Sequence, residues 1–237
     1  MENKNAGKKP ISRSMAIGCI FFIMALCIVL GIISYFSLKS VLYQQFERYI
    51  SDIITYVDSR IDDEDLKKCV DTLERSEKFD ELELFMDNIK ENFSIHYLYI
   101  LKPLMSEDGS EAHIMSVISA ENYYDRYVDT EGNLYLGWVS DDEYSVETVK
   151  KLFEVMNSDS ICFFENATEW GTDYTGAFAL RDEKGEAYAL LAVDVDITEI
   201  RKLIGMRSAE TFVVIFLLGF LFTVFFLIWT NKMRNES

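Results

Sequence analysis

The chain has 237 residues, 49% hydrophobic and 14% aromatic, with 40 Asp and Glu against 23 Lys and Arg and a formal net charge of −17. An acidic surface repels phosphate, which excludes nucleic acid as a partner. Four cysteines are too few for a disulfide framework.

Two apolar stretches without a charged residue, Met15 to Phe36 and Thr211 to Thr230, bracket the rest. At ~1.5 Å per residue, about 20 residues of helix cross a hydrocarbon core of roughly 30 Å. A two-pass membrane protein is therefore expected, with transmembrane helices at 15–36 and 211–230. Lys4, Lys8, Lys9 and Arg13 precede the first span and Lys232 and Arg234 follow the second, against Glu2 and Glu236 in the same tails. Positive residues favour the inner side, so the tails 1–14 and 231–237 are expected in the cytoplasm. Between the tails lie 17 basic and 38 acidic residues (23 less 6, and 40 less 2), and this segment is expected outside the cell membrane. Ser34-Tyr35-Phe36-Ser37-Leu38 offers no small-x-small cleavage site, which favours an uncleaved anchor over a secretory signal.

From Leu38 a helical stripe runs through Leu42, Phe46, Ile50, Ile53, Val57 and Ile61. It predicts one amphipathic helix continuing out of the first span, a rod suited to pairing in a homodimer. Two shorter helices follow, Glu64 to about Arg75 and Phe79 to about Phe93, the second with Leu82, Phe85, Met86 and Ile89 on one face. The period then changes to two. His96 to Leu101 reads as a strand ended by Pro103, and a turn at Ser106-Glu107-Asp108-Gly109 leads to a second strand, Ile114 to Ile118. Glu121 to Tyr144 has no clear period but holds Tyr123, Tyr124, Tyr127, Tyr135, Trp138 and Tyr144; a long aromatic connection in a small domain points to function. A helix from Val146 to Met156, a strand from Ile161 to Phe164 and a hairpin of Asp173 to Leu180 with Ala187 to Val195 complete the domain. An α+β fold follows, an antiparallel sheet with helices on one side. Asp196, three residues before Glu199, has the logic of a capping box and starts a helix through Ile200, Leu203 and Ile204 toward the second span.

The order of these parts resembles the Cache sensor domains, extracytoplasmic PAS-like modules of bacterial receptors. The stretch from Trp170 to Ala187, with Asp182-Glu183-Lys184-Gly185 at its turn, looks like that family's hairpin. Leu191-Ala192-Val193-Asp194-Val195-Asp196-Ile197 resembles its closing strand, which ends in an aspartate and a helix. The resemblance covers about Ser37 to Met206. It implies a PAS-like fold at 37–206, small-molecule sensing, and signalling through the second span to a cytoplasmic output such as a diguanylate cyclase or histidine kinase. Only Asn231 to Ser237 follow Thr230, so the output is expected on a longer chain or on a separate membrane partner.

Members of that family often carry glycine where this chain has Asp194. Strand alternation puts Asp194 on the side of Tyr188, Leu190 and Ala192; facing a cleft it suits an amine or cation, and facing water it is ordinary. Arg126, among Tyr123, Tyr124 and Tyr127, suits a carboxylate ligand by bidentate bonding and stacking, or is a surface arginine covering rings. Trp138 and Tyr174 wall the same pocket or belong to the core. The candidate ligand-binding residues are thus Tyr124, Arg126, Trp138, Tyr174 and Asp194, for an amino acid, amine or organic acid. His96 and His113 fall on neighbouring predicted strands, either sharing a metal or proton switch or standing as half-exposed strand positions. The acidic runs Asp62-Asp63-Glu64-Asp65 and Asp141-Asp142-Glu143 lack calcium-loop spacing, so neither a metal nor a cofactor is expected. There is no G-x-S-x-G, H-E-x-x-H, C-x-x-C or phosphate-cradling loop, and no catalytic residue is assigned. An oxidising exterior would allow one bond between Cys69 and Cys162. The alternative to a sensor is an envelope scaffold or accessory subunit that binds another membrane protein.

Overall fold

A computed structural model describes residues 13–106, 111–128, 134–140, 145–168 and 171–235. The expected turn at Glu107-Asp108-Gly109, the run Asp141-Asp142-Glu143, Tyr144, Trp170 and the charged residues Glu2, Lys4, Lys8, Lys9 and Glu236 lie outside these. The chain divides into two units, residues 44–200 and residues 13–43 with 201–235.

In the first unit, helix α1 (Arg13–Asp58) contributes its last turns, whose stripe Ile50, Ile53, Ile54 and Val57 is buried. α2 (Asp63–Thr72) begins where the Asp62 carboxylate accepts the Asp65 amide at 3.1 Å, and α3 (Glu77–Asn92) where Ser76 Oγ accepts the Phe79 amide at 3.0 Å. Both caps satisfy amides that a helix start leaves open. Leu66 and Val70 of α2 and Phe79, Leu82, Met86 and Ile89 of α3 supply the apolar side of this layer.

Five strands form one sheet in the order β2-β1-β5-β4-β3: β1 (Tyr97–Met105), β2 (Ala112–Ser119), β3 (Cys162–Thr168), β4 (Gly171–Arg181) and β5 (Ala187–Asp196). Every ladder is antiparallel, the α+β arrangement with an antiparallel sheet that the sequence leads one to expect. β1 runs through Pro103 instead of ending there. Only Tyr97 to Leu101 pair with β5, whereas Lys102 to Met105 have β2 alone as neighbour, and a strand with one open side tolerates a missing amide. A short helix, α4 (Tyr123–Tyr127), opens the aromatic connection through a reciprocal cap between Asn122 and Asp125.

Helices cover both faces of the sheet, not one. α5 (Val146–Met156) packs Val149, Leu152 and Val155 against Ala177, Ala179, Leu190 and Ala192. On the opposite face α1 comes so close to β4 that a Cβ on Gly176 would collide with the Ile50 side chain. α6 (Ile197–Asn235) follows β5 directly, and Asp196 Oδ1 accepts the Thr198 amide at 2.7 Å.

In the second unit, α1 and α6 carry segments long and apolar enough to cross a membrane. Gly31 lets the Phe212 ring sit directly on the α1 backbone, and Gly219 does the same for Cys27; small residues permit this close approach where helices lie in lipid. Cys69 and Cys162 are both free thiols.

Gly176→Val is expected to lower stability by about 1–3 kcal/mol, the usual cost of overpacking a filled core. A melting curve followed by circular dichroism, compared with Gly185→Val in the exposed turn, measures it.

Candidate functional site

A cleft of about 110 Å³ opens on the α5 face of the sheet, large enough for several waters or one small organic molecule. Antiparallel register builds its floor. Tyr97 lies opposite Asp194 and Tyr99 opposite Ala192 across the β1–β5 ladder, while Thr175 of β4 faces Asp194 from the other side. One step further along the same face, Asn166 of β3 pairs with Asp173 of β4. Tyr97, Tyr99, Asn166, Asp173 and Asp194 therefore line one end of the sheet, with Leu101 and Ile114 beneath.

The roof comes from residues 134–140. Ser116 donates its amide to the Trp138 carbonyl at 2.8 Å and accepts the Gly137 amide at 2.9 Å; the Ser140 amide reaches the Ile114 carbonyl at 2.9 Å. The Ser140 hydroxyl in turn accepts the Ile114 amide at 3.0 Å. These bonds lay the segment along the outer edge of β2, which both closes an edge that would otherwise offer unpaired groups and suspends Trp138 and Leu134 over the cleft.

Two carboxylates lie at the bottom. Asp194 and Asp173 are each only 4% exposed. The Tyr99 hydroxyl donates to Asp194 at 3.1 and 3.3 Å, and His96 Nδ1 lies 2.7 Å from Asp173 Oδ1. Burial pushes the Asp194 carboxyl up to about 7; the neighbouring Asp173 charge adds to the rise, and Thr175, Tyr99 and His96 oppose it. Thr175 Oγ1 lies beside this carboxyl without a well-aligned hydrogen bond. His96 is raised chiefly by its hydrogen bond to Asp173, against the desolvation that lowers it, and its ring stacks on Tyr97 at 4.0 Å. Behind Tyr97 stands Lys90 of α3, buried, 5.1 Å from the ring centre and 2.6 Å from Asp125. Among the described residues that line the cleft, none is lysine or arginine.

Of the residues singled out in the sequence, Asp194 and Trp138 meet in this cleft. Tyr174 projects from the opposite face, where its hydroxyl donates to Glu47 Oε1 of α1 at 2.7 Å and its ring stacks on Phe163. Arg126 holds α4 on α3 through Asp87, at 2.5 Å, and lies in a separate open depression with Glu121 and Tyr135. Tyr124 is 57% exposed on α4. The histidines are not opposed: His113 pairs with Leu104 and bonds the Ser140 carbonyl, far along β2 from the His96–Asp173 pair. Nor does Tyr188 share the side of Asp194, since its hydroxyl reaches Asp63 of α2 at 2.7 Å on the other face. Sequence reasoning did not single out Asp173, Tyr97, Tyr99 and Asn166; the usable signal was the period of two, which puts Tyr97 and Tyr99 on one side of β1.

No protein-family model matches the chain, and no curated protein sequence does. Solved structures similar to it include the ligand-binding domain of the Campylobacter jejuni chemoreceptor Tlp3 in complex with L-valine, at 13% identity and a TM-score of 0.34, with 70% of this chain and 66% of that one covered. The sensory domain of the same receptor with isoleucine bound is similar at 13% identity and a TM-score of 0.34, covering 70% and 65%. The PAS domain of Bordetella pertussis BvgS matches at 18% identity and a TM-score of 0.30, over 56% of this chain and 95% of that one. The chain thus spans just under two thirds of the length of the chemoreceptor domains.

A carboxyl with a raised folded pKa binds its proton more tightly in the folded state, so its stabilisation is complete below the unfolded value of about 3.9 and is lost as pH rises through about 7. The raised His96 acts in the same sense, its contribution disappearing above its folded pKa. Melting temperature is therefore expected to fall between pH 5 and pH 8. Asp194→Asn should flatten most of that fall and stabilise the protein at pH 8 by on the order of a few kcal/mol, measured by calorimetry at both pH values.

Proposed function

We propose that the chain is a membrane-anchored sensor: residues 15–36 and 211–230 span the membrane, both tails are cytoplasmic, and residues 37–206 form an extracytoplasmic receiver that binds a small ligand in the cleft under Trp138. The observation that carries this reading is the position of Asp194. It is a buried carboxyl at the floor of a cleft, two residues before Asp196, whose side chain caps the helix that continues into the second apolar segment. A ligand that engages Asp194 acts on β5 at the point where β5 becomes α6. Its binding energy biases the first turn of that helix between two arrangements, and the signal passes to a cytoplasmic output such as a diguanylate cyclase or histidine kinase. The chain works as a homodimer through its long first helix, α1, on a side other than the buried stripe Ile50, Ile53, Ile54 and Val57. Trp138 and Asp194 contact the ligand, while Arg126 anchors α4 to Asp87 beside the roof.

A second reading, an accessory subunit that binds another membrane protein, is favoured by the exposed rings of Tyr123, Tyr124, Tyr127 and Tyr135 around α4. Such binding would survive changes in the cleft and fail when Tyr123 and Tyr127 are replaced by serine.

For the full chain in lipid nanodiscs, a thermal-shift screen of amines, amino acids and organic acids is expected to give at least one compound that raises the melting temperature, and Trp138→Ala should cut that rise by more than half. In intact cells, Glu64→Cys should be labelled by a membrane-impermeant maleimide above the wild-type background, and Lys232→Cys should not. Labelling in the reverse pattern would overturn the orientation.

A further inference from the structure

We infer that the ligand of this cleft is a small monoamine, taken up as its ammonium ion, and not an amino acid. The inference rests on the reading of the cleft as the ligand site, and it follows from what the wall contains and what it lacks. Asp173 and Asp194 are buried side by side on neighbouring strands, and the Asp194 carboxyl has the Tyr99 hydroxyl as a donor. Tyr97, Tyr99 and Trp138 present rings around them, and an alkylammonium is attracted both to carboxylates and to ring faces. Buried carboxyls in an apolar cleft carry a cost that an incoming cation relieves.

An amino acid brings a carboxylate as well, and the described lining offers it no lysine or arginine as a charged partner. Among the described lining residues the groups that can donate to an anion include the Asn166 amide, the Tyr97, Ser116 and Ser119 hydroxyls and the Trp138 indole N–H, all uncharged. The nearby cations are engaged elsewhere: His96 bonds Asp173, and Lys90 bonds Asp125 behind the Tyr97 ring. A ligand carboxylate would enter beside two protein carboxyls with no charged partner. The volume of about 110 Å³ limits the amine to a short alkyl or branched chain.

Uptake also balances a proton. Asp194 in its neutral form gives up its proton to solvent as the ammonium ion arrives, so that RNH3+ and Asp194–COOH become the ion pair RNH3+ with Asp194–COO− and one released H+. The groups facing this exchange are Asp173 and Thr175 of β4, Tyr97 and Tyr99 of β1, His96 just before β1, Asn166 of β3, Asp196 at the end of β5 and Trp138 of the roof.

Isothermal titration calorimetry of the full chain in nanodiscs compares isobutylamine with L-valine, which differs by the added carboxylate, and with isobutyrate, which lacks the amine. Isobutylamine is expected to bind at least about tenfold tighter than L-valine, with no measurable heat from isobutyrate. At pH 6 the heat should depend on the ionisation enthalpy of the buffer, reporting proton release, and Asp194→Asn should abolish this dependence and weaken binding by roughly tenfold or more. Circular dichroism and the raised melting temperature expected at pH 8 verify that this variant is folded. Binding of L-valine or isobutyrate as tight as isobutylamine, or isobutylamine binding unaltered by Asp194→Asn, overturns the inference. If either carboxylate compound binds as tightly as isobutylamine and Trp138→Ala weakens it, the ligand class is wrong while the cleft still stands as a receptor site. Absence of any heat or melting shift across the whole screen removes both.

Discussion

Tyr188 to Val195 of β5 are all buried, because this strand lies between β1 and β4 and has α5 on one face and the layer of α1, α2 and α3 on the other. A strand with two dry faces is held by apolar packing along its whole length, and a polar side chain on it must be satisfied from within. Asp194 breaks that apolar run. Its placement dictates the rest of the cleft: the Tyr99 hydroxyl on one neighbour, Thr175 on the other, and the His96–Asp173 pair one step along. The cost of burying this carboxyl is offset by the surrounding core, which is the usual way strain or unfavourable charge persists at a working site.

The period of three and four gave away α1 through Val57, and α5 was legible to the residue, because each has an apolar stripe on an otherwise polar helix. Tyr174 shows where such reading stops. Counting back from the pair Arg181↔Ala187 without interruption puts Tyr174 opposite Asp194, on the cleft side. A one-residue bulge intervenes: Leu180 pairs with Ala189, and Tyr188 is left as the extra residue, turned toward Asp63. Every residue of β4 beyond that point changes partner, so Thr175 stands by Asp194 and Tyr174 faces α1. Nothing in the local composition of β5 marks the bulge, since a bulge is settled by how two strands fit and not by one strand alone.

Other misreadings have similar causes. Pro103 ends a strand only if both sides need amides, and the sequence does not say that β5 stops pairing at Leu101. Helices were expected on one face because strands and helices were counted in order; the second layer exists because α5 is inserted between β2 and β3 and must bury its own apolar side. The roof segment carries no periodic signal, as its position depends on main-chain bonds to Ser116 and Ile114. Trp138 was therefore visible as a ring without a place, and Asp173 as an ordinary strand residue.

That mode of attachment has a bearing on how recognition can diversify. Floor residues such as Asp194 and Tyr99 sit on packed strands of the sheet, where only near-isosteric exchanges fit without repacking their neighbours. The stretch around Trp138, in contrast, is seated mainly by peptide groups, which nearly every amino acid supplies alike. Its side chains are free to be exchanged while its seat persists, so in the proposed sensor discrimination between one guest molecule and another can evolve overhead while the acidic floor stays constant.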